Sequence, residues 1–454
     1  MPVFQACVCD SYLVLIWNYM LNFYMNKSVY IHTFGCQMNV HDSEKILGIL
    51  HNTGYSQTND PYLADLIVFN TCSIRQKAEQ KFYSELGRIK AVKTERPEVT
   101  IAVAGCIAQQ EGKRIISRAP YVDIVFGPQN IHMLTELLLK GRRTVATTEN
   151  PDIALMDLPV KRTEGIRAWV TIMYGCNNFC SYCVVPFTRG RERSRPSASI
   201  ISEITRLSHD GYKEITLLGQ NVNSYKSDTD FAGLLKKIDR VGGVERIRFV
   251  TSHPRDLSSE LIKTIPELPR VCEHIHLPLQ SGADSVLARM NRRYTYDEYK
   301  NKVSLLREFI PEIAITSDII AGFPGETEDD HYLTLKALEE IKFDGIFAFR
   351  FSPRPGTKAY EMDFKLDEHI VSERLNQILS VQEEITERKN RLLEGTVQEI
   401  LIEGPSEKSH ERLSGRTRTN KIVDFPGNGL SCGTLMKIEI TKGRLHSLEG
   451  IAVK

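Results

Sequence analysis

Cys176, Cys180 and Cys183 stand in a C-x3-C-x2-C spacing. Thiolates are soft ligands, and a short loop carrying three of them can wrap one corner of an iron–sulfur cubane. A structural zinc site calls for four closed ligands, and a cluster that only passes electrons calls for four thiolates. Three cysteines leave one iron without a protein ligand, which lets a cluster bind a substrate. A zinc knuckle borrowing a distant histidine is the competing reading, and the ligand count stands against it. The run Ala168-Trp169-Val170-Thr171-Ile172-Met173-Tyr174 just before the triplet reads as a short apolar strand, so the cysteines fall on a loop at a strand's C-terminal end.

The triplet and its surroundings, Tyr174-Gly175-Cys176 through Pro186-Phe187-Thr188-Arg189-Gly190-Arg191, resemble the methylthiotransferases of the radical S-adenosylmethionine (SAM) superfamily. The resemblance runs from about Lys27 to the C-terminus. It implies a [4Fe-4S] cluster on Cys176, Cys180 and Cys183, with the open iron chelating the amino and carboxylate groups of SAM. One electron then cleaves SAM to a 5′-deoxyadenosyl radical.

The elements ahead of the triplet place three more cysteines. Val29–Phe34, Asp65–Asn70 and Val99–Ala104 read as strands, ending at Gly35-Cys36, Thr71-Cys72 and Gly105-Cys106. Helical patterns, such as Ser43–Leu50 and Ile74–Ile89, lie between them, which predicts an open, doubly wound parallel sheet over residues 28–147. Ligands of such sheets sit beyond the carboxyl ends of the strands. A lone free cysteine is commonly only a small buried apolar residue. Cys36, Cys72 and Cys106 at one sheet edge instead suggest a second three-cysteine cluster. Gly35-Cys36-Gln37-Met38-Asn39, Asn70-Thr71-Cys72-Ser73-Ile74-Arg75 and Gly105-Cys106-Ile107-Ala108-Gln109-Gln110 also resemble methylthiotransferase motifs. The resemblance implies a second [4Fe-4S] cluster whose open iron carries the sulfur to be inserted.

A chain of 454 residues is too long for one ordinary core. Its 41% hydrophobic and 25% charged residues suit a globular protein. A net charge of +1 leaves nucleic-acid contact to local basic patches. Ten cysteines without an ordinary secretion signal favour metal or catalytic use in a reducing cytoplasm over disulfides. Residues 1–27 read as an extension, with Met25 a plausible start. Tyr12–Trp17 lacks the basic flank and cleavage site of a signal peptide and the length of a membrane span. Cys7 and Cys9 are read as non-ligands. Residues 148–165 read as a linker.

Residues 166–394 carry strand patterns after the cluster strand at Glu214–Gly219, Arg246–Thr251, His274–Leu279, Ala314–Ile320 and Gly345–Phe351. They predict a partial barrel of six βα units, with the chemistry at the strands' C-terminal ends. Gln220-Asn221, Ser252-His253-Pro254, Gln280-Ser281-Gly282, Gly322-Phe323-Pro324-Gly325-Glu326 and Ser352–Thr357 fall at those ends. Each alone reads equally as a turn. Facing one cluster together, they read as SAM and substrate contacts. Gln280 joins the SAM contacts by its strand-end position, and the resemblance places Gln220 and Asn221 near the methionine moiety and Gly322, Pro324, Gly325 and Glu326 near the adenine. The alternating run Arg189, Arg191, Arg193 and Arg195 reads as a phosphate-binding edge rather than a solvated face. Cys272 and Cys432 read as packing.

A helix over residues 365–394, with apolar positions Val371, Leu375, Ile378, Leu379 and Ile385, ends before Gly395. Short strands with glycine turns then predict a small β-barrel over 395–454 that resembles a TRAM RNA-binding module. Arg412, Arg416, Arg418 and Lys421 supply its basic face.

For function, the resemblance implies that C2 of N6-isopentenyladenosine 37 in tRNA receives a methylthio group, with one SAM as methyl donor and another as radical source. Enzymes acting on N6-threonylcarbamoyladenosine 37, or on an aspartate of a small-subunit ribosomal protein, share the architecture. An iron–sulfur RNA-binding protein is the non-enzymatic alternative. Thr71–Ala78, Cys106–Gly112 and Ser414–Lys421 with Phe425-Pro426-Gly427 look closest to the isopentenyl enzymes. A monomer with an external electron donor and sulfur source, acting away from membranes, completes the expectation.

Overall fold

The structure, a computed structural model, describes residues 27–73, 76–162, 165–407, 409–427 and 429–453. The extension with Cys7 and Cys9, and the Ile74-Arg75 end of one motif, lie outside the described residues. The chain divides into two units, one running to residue 163 and taking in Phe187–Gly190, the other made of the remainder.

In the first unit, β1 (Lys27–Thr33), β2 (Tyr55–Gln57), β3 (Leu66–Thr71), β4 (Thr100–Gly105), β5 (Ile124–Phe126) and β6 (Thr144–Ala146) form a parallel sheet in the order β2-β1-β3-β4-β5-β6. The pleat sends alternate residues to opposite faces. Ile67 and Phe69 of β3 therefore pack with Phe82 and Leu86 on one side, and Leu66 and Val68 with Ile46 and Leu50 on the other. Burial on both faces explains why β3 reads as an unbroken apolar run. The sequence reading finds three of these strands. The other three are each three residues long, too short to show a period.

In the second unit, β7 (Arg167–Thr171), β10 (Glu214–Leu218) and β11 (Arg246–Phe249) form one parallel sheet, and β12 (His274–His276), β13 (Ala314–Ala321) and β14 (Gly345–Arg350) another. A parallel bridge between Ile247 and Val271 links the two, giving a six-stranded arc in chain order. Between β7 and β10, β8 (Met173–Tyr174) and β9 (Arg193–Ser194) pair antiparallel. Ile215, Ile247, Phe249, Ile315 and Ile319 pack into the core shared with the surrounding helices. The alternate positions Arg246, Arg248, Thr316, Asp318, Phe347 and Phe349 therefore take the inner face of the arc. The helix Glu368–Arg391 follows, with Asp367 accepting from the His369 N–H as its cap.

β15 (Val397–Ser406), β16 (Ser409–Thr417), β17 (Ile422–Pro426), β18 (Leu435–Gly443) and β19 (Leu448–Ala452) close a barrel around Ile400, Ile402, Val423, Phe425, Ile438 and Ile440. It docks at the N-terminal ends of the arc's strands. Arg246 donates to the carbonyls of Arg416 (2.6 Å) and Glu399 (3.0 Å), and Arg248 to those of Arg418 (2.8 Å) and Thr417 (2.7 Å). The cysteine loop and the barrel thus occupy opposite ends of the same strands.

Candidate functional site

In the first unit each cysteine sits where a strand ends. Cys36 caps the N-terminus of the helix Gln37–Asn52, Cys72 follows β3, and Cys106 opens the helix Cys106–Glu111 after β4. Two glycines make room for them. Gly35 (φ +113°) has no space for a side chain, because a Cβ there would lie 2.3 Å from that of Cys72. At Gly105 (φ +91°) a Cβ would meet the Thr71 carbonyl at 2.3 Å. Asn39 fastens the edge, donating to the carbonyls of Phe34 (2.9 Å) and Thr71 (2.8 Å).

The cysteine chemistry there is uneven. A hydrogen bond from Cys72 holds the Cys36 thiol down at about 5, with the Arg189 guanidinium adding to the effect against burial. Burial pushes Cys106 up, and Arg189 opposes it. Arg189 was not legible as part of this site, and its placement corrects the sequence reading. It is 5% exposed and paired to Asp42 at 2.8 Å, so it has no surface to offer a phosphate. It also donates to Asn39 Oδ1 (3.0 Å), and its carbonyl accepts from Gln129 (2.8 Å).

In the second unit the triplet loop is pinned by backbone contacts. The Ser181 N–H donates to the Met290 carbonyl (3.0 Å), Ala359 N–H to the Ser181 carbonyl (2.8 Å), and Asn291 to the Phe179 carbonyl (2.9 Å). Burial raises Cys176 to about 11 and Cys183 to about 12. Such thiols become thiolates only beside a strong positive charge, which iron supplies. Among the described residues no three His, Cys, Asp or Glu side chains form a single-ion site. A cubane differs, since it keeps its ligands on separate iron corners.

The strand ends around this loop hold buried polar atoms without a hydrogen-bond partner: Gln220 Oε1, Ser252 Oγ and His253 Nε2. A ligand or an ordered water meets buried polar atoms of this kind. Nδ1 of His253 accepts from the Arg255 N–H (3.2 Å), which leaves Nε2 to carry the proton. Burial and nearby cations, Arg292 foremost, hold that ring near 2, so it stays neutral. Asn221 differs from Gln220. It donates to Asp256 (2.6 Å) and accepts from the His253 N–H (3.0 Å), so it braces the loops. Gln280 (φ +75°) is buried and pairs with Ile319 through its backbone. In the Gly322–Glu326 turn, Glu326 accepts from Arg374 (2.7 Å) and the Gly322 N–H (3.2 Å), which fixes the turn. Pro324 lies within that turn, and Gly325 is held by its N–H to the Phe364 carbonyl (3.0 Å). On the inner face, His276 stands 3.4 Å from Asp318 and edge-on to Phe347, which is 54% exposed with Phe349 beside it.

The remaining arginines spread out. Arg191 stacks on the Phe179 ring at 4.3 Å, Arg193 lies in β9, and Arg195 is buried against Glu203 (2.7 Å). In the barrel, Arg418 pairs with both oxygens of Glu273 (2.7 Å), and Lys421 reaches Asn390 (2.8 Å) and Asp344 (3.3 Å). Arg416 pairs with Glu403 (3.1 Å), and Arg412 donates to the Asp424 carbonyl (2.9 Å). These four side chains are half-buried, and their contacts dock the barrel and brace it.

Sequence reasoning also passes over Arg292, which donates to Cys180 Sγ at 3.3 Å. A double arginine after a helix end reads as surface charge, and only its burial shows otherwise.

Comparison with known proteins matches three stretches of the chain. Residues 28–127 match the Uncharacterized protein family UPF0004, residues 170–338 the Radical SAM superfamily, and residues 391–453 the TRAM domain. A tRNA-2-methylthio-N(6)-dimethylallyladenosine synthase of Thermodesulfovibrio yellowstonii is 52% identical over 426 residues, covering 93% of this chain and 98% of the relative. One of Geobacter metallireducens is 49% identical over 433 residues, covering 93% and 98%. Among solved structures, the radical S-adenosylmethionine methyltransferase TsrM from Kitasatospora setae aligns with a TM-score of 0.55 at 15% identity, covering 74% of this chain and 77% of that one. At that identity the likeness concerns the fold.

Proposed function

Since this chain belongs to the tRNA-2-methylthio-N(6)-dimethylallyladenosine synthase family, we infer that it converts the C2–H bond of N6-isopentenyladenosine 37 in tRNA to C2–S–CH3. The observation that carries this reading is the pair of three-cysteine sets, each at strand C-termini, in a chain 52% identical to such a synthase over nearly its whole length. Two [4Fe-4S] clusters and SAM, when bound, supply the one-electron, sulfur and methyl chemistry that no side chain performs.

The chain's own residues hold and orient. Cys176, Cys180 and Cys183 ligate one cluster, and Cys36, Cys72 and Cys106 the other. Gln220, Ser252 and His253 present their unpartnered polar atoms to SAM. Asn221, Gln280 and the Gly322-Phe323-Pro324-Gly325-Glu326 turn hold the strand-end loops around it. His276, Asp318, Phe347 and Phe349 give the inner face a polar and an aromatic part, suited to a base bearing an apolar substituent. Arg191 and Arg193 lie close after the loop in sequence and serve the tRNA backbone. Functionally the modules are residues 28–147, the linker 148–165, the radical domain 166–394 and the barrel 395–454, with 1–27 an extension.

The substrate is tRNA. The enzyme takes electrons from an external donor and sulfur from an external source, and acts as a monomer in the cytoplasm. Among the described residues no helix is long and apolar enough to cross a membrane.

Nucleoside mass spectrometry of tRNA tests the reading. A strain lacking its own synthase accumulates N6-isopentenyladenosine, and this chain should convert it to the 2-methylthio form. Methylthiolated threonylcarbamoyladenosine instead would assign the sister activity. Unchanged tRNA together with a methylthiolated ribosomal protein would assign the protein substrate. No release of 5′-deoxyadenosine by the reduced protein would leave a binding role.

A further inference from the structure

Arg292 is 4% exposed, and its hydrogen bonds go to Tyr294 Oη (3.0 Å), Tyr182 Oη (3.5 Å), the Pro278 carbonyl (2.9 Å) and Cys180 Sγ (3.3 Å). Among the described residues no carboxylate pairs with it. Arginine keeps its proton inside proteins, and a buried charge without a counter-charge is strongly destabilising. Three of its four partners are neutral, and the fourth is a sulfur that carries negative charge when it ligates iron. Arg189 in the first unit is different, since Asp42 already balances it.

We propose that Arg292 is the fixed charge partner of the cluster held by Cys176, Cys180 and Cys183, and that its hydrogen bond to Cys180 raises that cluster's reduction potential. This rests on the reading that those cysteines hold a cluster. One-electron reduction by an external low-potential reductant adds one negative charge to the cluster and breaks no bond. A guanidinium on a ligand sulfur favours the more negative state, and the dry surroundings strengthen the effect. Tyr294 and the Pro278 carbonyl fix the fork, so Arg292 is a positioning and electrostatic residue without contact to substrate.

The test uses reconstituted Cys36→Ala/Cys72→Ala/Cys106→Ala protein, in which one cluster remains to be titrated, as parent for Arg292→Lys and Arg292→Met. Redox titration followed by electron paramagnetic resonance gives the midpoint, and melting is recorded with and without iron. Arg292→Met should lower the reduction equilibrium constant at least tenfold, about 59 mV for one electron, while Arg292→Lys keeps most of the native value. Iron loading should raise Tm less in Arg292→Met than in the parent. An unchanged midpoint in Arg292→Met overturns the proposal, and so does a Lys variant shifted as far as Met. Should Arg292→Met hold no iron, the iron-free proteins decide. A Tm at or above the parent's sustains an uncompensated charge, and a Tm below it shows a merely structural role. A parent that binds no iron at all refutes the cluster reading instead.

Discussion

Arg189 and Asp42 form a buried ion pair with Nη2 2.8 Å from Oδ2, the two residues 5% and 2% exposed. The pair ties Phe187–Gly190 to the helix that Cys36 caps. Removing one member of such a pair leaves the other charge buried, at a cost of about 3–5 kcal/mol. Asp42→Ala should therefore destabilise the first unit by that amount, read by hydrogen exchange over residues 27–162. Replacing both, as Asp42→Asn with Arg189→Met, should cost less than the two single changes added together. Additive losses would mean that the two side chains do not act as a pair.

Iron content tests the two cysteine sets directly. Anaerobically reconstituted protein should bind about eight iron atoms, as two four-iron cubanes require. Replacing Cys176, Cys180 and Cys183 by alanine should leave about four, and so should replacing Cys36, Cys72 and Cys106. A second triple variant that keeps all its iron would remove the cluster from the first unit.

The two sets should also divide the labour. With Cys36, Cys72 and Cys106 replaced, the protein should still cleave SAM reductively, because Cys176, Cys180 and Cys183 stand in the other unit. It should make no methylthio product, measured as 2-methylthio nucleoside per 5′-deoxyadenosine released. Product at the native rate would show that sulfur reaches the base by another route.

The places of the six cysteines after strands were legible because their signals are local: a short spacing in one set, and the ends of apolar strands in the other. The strands of the first sheet were legible only in part, since β2, β5 and β6 are too short to carry a period. The placements of Arg189 and Arg418 were not legible because their partners are remote in sequence. Arg189 and Asp42 are 147 positions apart, and Arg418 and Glu273 are 145 apart. A charged run reads as a surface when its counter-charges lie in another element. Gln220 and Asn221 are neighbours with different fates, one with an unpartnered oxygen and one spent on Asp256, and only packing separates them.

The same remote pairing changes how tRNA binding by the barrel should be tested. Deleting residues 396–454 removes the carbonyls that accept from Arg246, which is fully buried, and from Arg248, so the deletion would disturb the strands that carry the cysteine loop. Point changes on the exposed side avoid this. Lys442 is exposed on β18, away from the docking string Arg416–Lys421 and from Glu399. Lys442→Glu should weaken tRNA binding, and the slope of log K against log salt should flatten by about one for the phosphate no longer neutralised. SAM cleavage without tRNA should not change, because Lys442 lies at the end opposite the cysteine loop. Arg418→Met should instead lower Tm by removing the Glu273 pair, and weaken tRNA only as far as the barrel loosens. The opposite pattern, native binding by the lysine variant and weak binding by a fully stable Arg418→Met, would place the tRNA on the docked string and require the barrel to detach when it binds.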